Sequence, residues 1–441
     1  MMKLRNLVGA CIILVGACII ASSTLFPAAA DPLPTVGQPE LVGLSSPRLN
    51  RLGDAFKTEV DSNKIAGAVV LIARHGKVAY LEPFGFQDRE RQVPMKADAI
   101  FRIYSLTKPI VSVAIMMLVE EGKLQLYAPV ATYLPELKDL KVGVEKVNQA
   151  TGKTELELEP VQRQMTVHDL LRHTSGLTYG LFGNTLVDQA YRDAKLLAPD
   201  QTLSDFLSKL AKLPLLNQPG TTWNYSVSTD VLGRIVEVLS GKELDEFIAE
   251  RITNPLGMAD TGFYTKGTQA DRVAQPQVNA ATGSRPPMRD VTKRPQWFSG
   301  GGGMISTAAD YLRFCQMLLN GGELDGVRLL SPMTVSHMTA DHLPPGTTMS
   351  ANTLNRFSPI TPSTIQGQGF GLGFAVRIDA GRHPMPGSVG HYYWVGAGGP
   401  VFWVDPKENL VAIMMVQHEG GPALHHYHSF ARNLVYQTIV K

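Results

Sequence analysis

The chain has 441 residues, about three typical domains' worth, which is enough for a large core and excludes a disulfide-stapled mini-protein. Lys+Arg 41 against Asp+Glu 39, with 44% hydrophobic and 18% charged residues, excludes a disordered polymer and an electrostatic binder of nucleic acid. Of three cysteines, Cys11 and Cys18 lie in an N-terminal apolar stretch and only Cys315 lies beyond it. A Cys-rich zinc site is therefore excluded, as is an internal disulfide once that stretch is removed.

The first element is that stretch. Lys3 and Arg5 precede the apolar run Leu7 to Ile20, and Pro27-Ala28-Ala29-Ala30 offers small residues for cleavage. This predicts a signal peptide over residues 1–30 and an exported protein, periplasmic or secreted, of residues 31–441. Two readings compete. The uncharged Leu7 to Phe26 is long enough for a retained membrane anchor, and Val15-Gly16-Ala17-Cys18 resembles a lipidation site. Only those readings bring the protein to a membrane.

After a Pro/Gly-rich linker, Leu49, Leu52 and Phe56 have helical spacing within Pro47 to Asp61. Ala66 to Ala73 and Val78 to Phe84 read as two strands joined by a short hairpin turn. Ile110 to Glu121 reads as a helix that Gly122 stops. The stretch up to about Asp290 is helix and loop in character, with runs at 167–173, 203–213, 229–239 and 244–252, and a polar hairpin insert over 141–161. A helix is predicted at 308–319, then strands at 370–378, 387–391, 401–404 and 410–416, and a closing helix at 429–439. Strand signals at both ends with a helical middle predict an α/β (α+β) fold. One sheet is assembled from about 44–104 and 300–441, flanked by the first and last helices, with a large helical insertion over about 105–299.

The candidate nucleophile is Ser105, in Tyr104-Ser105-Leu106-Thr107-Lys108-Pro109. Pro109 lacks an N–H and belongs in a first helical turn, so Ser105 sits at a helix N-terminus with Lys108 one turn on, on the same side. A serine hydroxyl attacks only when a base takes its proton, and a neutral Lys108 would serve. Backbone N–H groups at the helix start would favour the resulting oxyanion. The competing reading is a capping serine and a solvated lysine, because Ser-x-x-Lys is a short motif. Tyr225, in a loop before a helix, offers a second proton carrier or else a half-buried aromatic. Trp394-Val395-Gly396-Ala397-Gly398-Gly399 offers glycines for close backbone approach or else a plain bend.

With these three motifs in order, the sequence resembles the class C beta-lactamase and penicillin-binding-protein-like serine hydrolases, most of all the family VIII carboxylesterases. The resemblance spans roughly Leu44 to Gln417. It includes Thr166-Val167-His168-Asp169-Leu170-Leu171-Arg172-His173-Thr174-Ser175-Gly176-Leu177, Tyr225-Ser226, Pro255-Leu256-Gly257-Met258, Gly300 to Gly303 and Phe402-Trp403-Val404-Asp405-Pro406. It implies a mainly antiparallel sheet between helices, with the site where sheet and helical insert meet. It implies Ser105 as the acylated nucleophile, Lys108 and Tyr225 as general base and acid, and an oxyanion hole from the Ser105 N–H and a strand N–H assigned to Ala397.

Two departures bear on substrate. Val227 stands where beta-lactamases of this class have the Asn of Tyr-x-Asn, and Trp394-Val395-Gly396 aligns with their Lys-Thr-Gly. Losing an amide and a cation disfavours a beta-lactam or D-Ala-D-Ala peptide and favours a small acyl ester. Beta-lactamase, D-Ala-D-Ala carboxypeptidase and acyltransferase activities remain the enzymatic alternatives, and a non-catalytic scaffold the third class. His391-Tyr392-Tyr393 is a poorer candidate for the third motif, since Tyr393 falls where glycine is needed.

Other signals carry less. Gly152-Lys153-Thr154 lacks the earlier glycine of a phosphate loop and reads as a polar turn. His418, His425, His426 and His428 have no metal-ligand spacing and read as a solvated helix start. His168 and His173 read as structural, Cys315 as a buried thiol, and Gly300 to Gly303 as a loop brought close to the cleft. No Gly-x-Ser-x-Gly elbow occurs. No cofactor or metal is expected, and the partner is a small-molecule ester or amide.

Overall fold

The computed structural model describes residues 33–279, 282–349, 366–418 and 423–441. The predicted export segment, with Cys11 and Cys18, lies outside the described residues. Helix α1, Ser46–Asp61, starts with Pro47 in its first turn and buries Leu49, Leu52, Phe56 and Val60 along one stripe. Phe56 stacks on Phe84 at 5.4 Å between ring centroids and meets Phe430 edge-on at 5.3 Å, so α1 bridges the sheet and the C-terminal helix.

The sheet has eight strands, drawn from both ends of the chain. β1 (Gly67–Arg74), β2 (Lys77–Asp88) and β3 (Val93–Pro94) come from the N-terminal part. The C-terminal part supplies β6 (Gln368–Phe370), β7 (Ala375–Arg377), β8 (Tyr392–Val395), β9 (Val401–Asp405) and β10 (Leu410–Val416); β4 (Lys141–Val147) and β5 (Thr154–Pro160) belong to a separate hairpin. Their spatial order is β6-β7-β8-β9-β10-β1-β2-β3, and all neighbours pair antiparallel. The two ends meet where β1 pairs with β10, Ala68 opposite Val416 and Arg74 opposite Leu410. Every residue of β1 and β10 is buried, which explains their continuous apolar runs: both sheet faces are covered.

Helix α2 (Thr107–Glu120) is buried from Thr107 to Leu118, so its apolar residues occupy every side. The polar insert is a hairpin of β4 (Lys141–Val147) and β5 (Thr154–Pro160). Helices α3 (Val167–Leu171), α4 (Leu186–Asp193), α5 (Leu203–Leu210), α6 (Ser228–Ser240) and α7 (Leu244–Ile248) complete this region. Helix α8 (Ala308–Leu319) packs on β1, β9 and β10, and α9 (Ala423–Tyr436) packs with α1. Cys315 is buried within α8.

The structure corrects several expectations. The run 370–378 is a hairpin: Gly371 N donates to Phe374 O, and Gly373, at φ +97°, takes a left-handed conformation that turns the chain. Gly387–His391 is a turn with Gly390 at φ +88°, and the strand begins at Tyr392. The closing helix begins at Ala423, so His428 falls in its second turn and is buried against the Tyr393 ring at 5.0 Å. Helix α4 was not anticipated, although Thr185 and Asp188 form a capping box at its start.

Candidate active site

Ser105 lies in a 3₁₀ turn, Tyr104–Leu106, that leads directly into α2. Tyr104 takes φ +46°, a left-handed conformation costing a non-glycine residue about 1 kcal/mol. Its ring lies against Gly398, where a Cβ would come within 2.5 Å of it, and its hydroxyl donates to Met288 Sδ at 3.1 Å. Distant segments fix the turn: Arg102 N donates to Gln417 Oε1 at 3.0 Å and Ile103 N to Met304 O at 3.1 Å. Ser105 itself is half-buried.

Lys108, one turn into the helix, is 1% exposed. Its Nζ lies 3.2 Å from Ser105 Oγ, 3.0 Å from the Tyr179 hydroxyl and 2.6 Å from Gly301 O. It also stands 4.6 Å from the Tyr225 ring centroid, a cation–π distance when the amine is charged. Thus Gly300 to Gly303 brings a carbonyl onto the lysine.

Tyr225 precedes α6 and is held from two sides. Trp394 Nε1 donates to its hydroxyl at 3.2 Å, with the two ring centroids 5.4 Å apart. Behind it, the Thr166–Leu177 segment forms a brace. Asn224 N donates to His173 O, Asn224 Nδ2 donates to Leu177 O, and the Ser175, Ser226 and Ser228 hydroxyls form a buried chain with 2.8 Å steps. The His173 ring packs 4.9 Å from that of Tyr225, and burial, helped by the Lys108 charge, holds its imidazole neutral well below the usual range. His168 bonds His342 through ring nitrogens at 2.9 Å, away from Ser105.

β8 supplies the other wall. Trp394 is buried against Tyr225 and Phe370, while the next residue back, Tyr393, faces the opposite side and bonds Gln368. By the same alternation His391 shares the Tyr393 side, buried beside Arg432 at 3.1 Å. After β8, Gly399 N donates to Gly396 O in a tight turn. Gly396 has no room for a side chain, because a Cβ there would lie 2.5 Å from Ile103 O. Ala397 is exposed at the turn, and neither its N–H nor that of Ser105 donates to another described residue.

Two residues here were not singled out in the sequence. Tyr179 lies in an irregular loop after the brace. Burial pushes its phenol well above the ordinary range, and Tyr225 and Asp230 push the same way, so it stays neutral. Asp230, in the first turn of α6, is 1% exposed; it accepts from Ser299 Oγ at 2.6 Å and Gly301 N at 3.1 Å. Burial raises its carboxyl despite those donors and the Lys108 charge. The arrangement joins a reachable hydroxyl, a buried amine and two phenols, a set suited to proton transfer during nucleophilic attack.

The beta-lactamase family model matches residues 52–437, and the chain belongs to that family. Protein Rv1367c of Mycobacterium tuberculosis is 37% identical over 371 residues, covering 81% of this chain and 87% of the relative. Esterase EstB of Burkholderia gladioli is 31% identical over 387 residues, covering 83% and 89% respectively. Among solved structures, EstCE1, described as a hydrolase with promiscuous acyltransferase activity, superposes with a TM-score of 0.70 at 28% identity, covering 88% of this chain and 98% of EstCE1. The protein is an enzyme of the serine-hydrolase type, with esterases and acyltransferases among its relatives.

Proposed function

We propose that the protein cleaves small acyl esters through an acyl-enzyme on Ser105. The observation that carries this reading is the 3.2 Å approach of the buried Lys108 amine to Ser105 Oγ. Lys108 takes the hydroxyl proton as Oγ attacks the acyl carbon, and the carbonyl electron pair moves onto oxygen. The N–H groups of Ser105 and Ala397 receive that oxyanion. The alcohol leaves with a proton supplied by Lys108, directly or through the Tyr225 phenol, and water then attacks the acyl-enzyme with the proton path reversed.

Ester preference is supported by the Trp394 indole, which stands where the beta-lactamase pattern has a cation for the substrate carboxylate, and by Val227, a buried aliphatic where that pattern has an amide. Transfer of the acyl group to a second alcohol is the alternative, motivated by the acyltransferase activity described for EstCE1. The test compares a short-chain nitrophenyl ester with a chromogenic cephalosporin, using the wild type and Ser105→Ala. Ester turnover, weak or absent cephalosporin turnover and an inert Ser105→Ala variant are expected. Ester hydrolysis surviving in Ser105→Ala would refute the mechanism.

A further inference from the structure

Lys108 is oriented by residues outside the three motifs. A neutral amine has two N–H bonds and one lone pair. Gly301 O, at 2.6 Å, can only accept, so it takes one N–H. The Tyr179 hydroxyl, at 3.0 Å, takes the second. With Tyr179 as acceptor, the remaining direction, toward Ser105 Oγ, falls to the lone pair, into which the Ser105 hydroxyl donates. Gly301 is itself anchored, since its N–H donates to Asp230 Oδ1, the oxygen that also accepts from Ser299. No side chain fits at Gly301: a Cβ would lie 2.4 Å from Asp230 Oδ2 and 3.0 Å from the Tyr179 hydroxyl.

We propose that Tyr179 and Asp230 are positioning residues that aim the Lys108 lone pair at Ser105, Tyr179 directly and Asp230 through Gly301. The inference rests on the Ser105–Lys108 reading above. When the Ser105 proton moves to Nζ, the Oγ electron pair bonds to the acyl carbon. The new ammonium keeps its bonds to Gly301 and Tyr179, and its third proton is free to pass to the departing alkoxide. Without the Tyr179 acceptor, an N–H can occupy the direction facing Ser105, and fewer encounters are productive.

Tyr179→Phe keeps the ring and removes the hydroxyl. Its kcat for a nitrophenyl ester should fall about tenfold to a hundredfold, with KM within about twofold and the melting temperature unchanged. In a Lys108→Ala background the same substitution should add less than about a twofold loss, because the group it orients is gone. A structural role would give equal losses in both backgrounds, and that result, or an undiminished kcat in Tyr179→Phe, overturns the proposal. Asp230→Asn keeps an oxygen for Gly301 and Ser299 and should retain most of kcat, whereas Asp230→Ala should not. Equal activity in the two Asp230 variants overturns the Asp230 part, and if Asp230→Ala fails to fold, loss of most of kcat in a folded Asp230→Asn overturns that part instead. Ser105→Ala separates the two readings: turnover in that variant removes the Ser–Lys mechanism, whereas an inert Ser105→Ala beside a fully active Tyr179→Phe removes only the positioning.

Discussion

Strand β8 has a buried basic side chain on each of its faces. On one side Trp394 bonds Tyr225, over whose ring Lys108 stands at 4.6 Å. On the other, Arg432 lies over the Tyr393 ring at 4.3 Å and bonds His391. Both are almost wholly excluded from water and both lie over an aromatic face. Lys108 has three oxygen neighbours, one of them a reachable serine, whereas Arg432 Nε and Nη2 meet no acceptor among the described residues. The chemical difference is decisive: an amine can give up its proton in a protein and a guanidinium does not. Burial with an aromatic neighbour is common to both side chains; only Lys108 adds a removable proton beside a hydroxyl, which is what the proposed mechanism uses.

Substitutions can break this comparison. Lys108→Ala should lower kcat/KM for a small ester by several orders of magnitude, since it removes the base, and Tyr225→Phe by less, since Lys108 still has the direct path to the leaving group. Steady-state kinetics on folded variants checks this, and near-normal rates would erase the distinction between the two faces. Gly396→Ala should have an intermediate effect, about tenfold or more in kcat, because its methyl group meets Ile103 O and separates the strand turn from Ser105. Arg432→Met should have the smallest effect on catalysis, within about threefold. Asp405 still accepts from Ser388 N, Glu408 N and the Tyr436 hydroxyl, and a desolvated guanidinium is removed. Assay and thermal melting of Arg432→Met would show whether this cation matters to activity at all.

Ser105 and Lys108 were legible because Pro109 fixes where a helix begins and the i,i+3 spacing does the rest. Tyr225 and the Trp394 motif were read from their loop and glycine context and then from the family resemblance, and the alternation of β8 sets Trp394 and Tyr393 on opposite sides. Tyr179 carried no such signal. It reaches Lys108 through a loop shaped by Gly176 and Gly180, at φ +86° and +71°, and no periodicity encodes that path. Asp230 looked like an ordinary acid in a first helical turn, since its partners Ser299 and Gly301 are remote in sequence. The 370–378 error has the opposite cause: an apolar run with glycines satisfies a strand pattern whether it continues or folds back. The buried β1 and β10 were easier, because continuous apolar runs suit strands covered on both faces.

The pairing of β1 with β10 has a consequence for how the enzyme matures. The Ser105 turn is held by Gln417 and Met304, and Gly396 rests on Ile103, so the candidate site needs contacts between remote parts of the chain. Such contacts carry a large loop-closure entropy and form late, after local helices. The Ser105 turn thus takes its shape only once the sheet has closed, and helix formation alone does not assemble it.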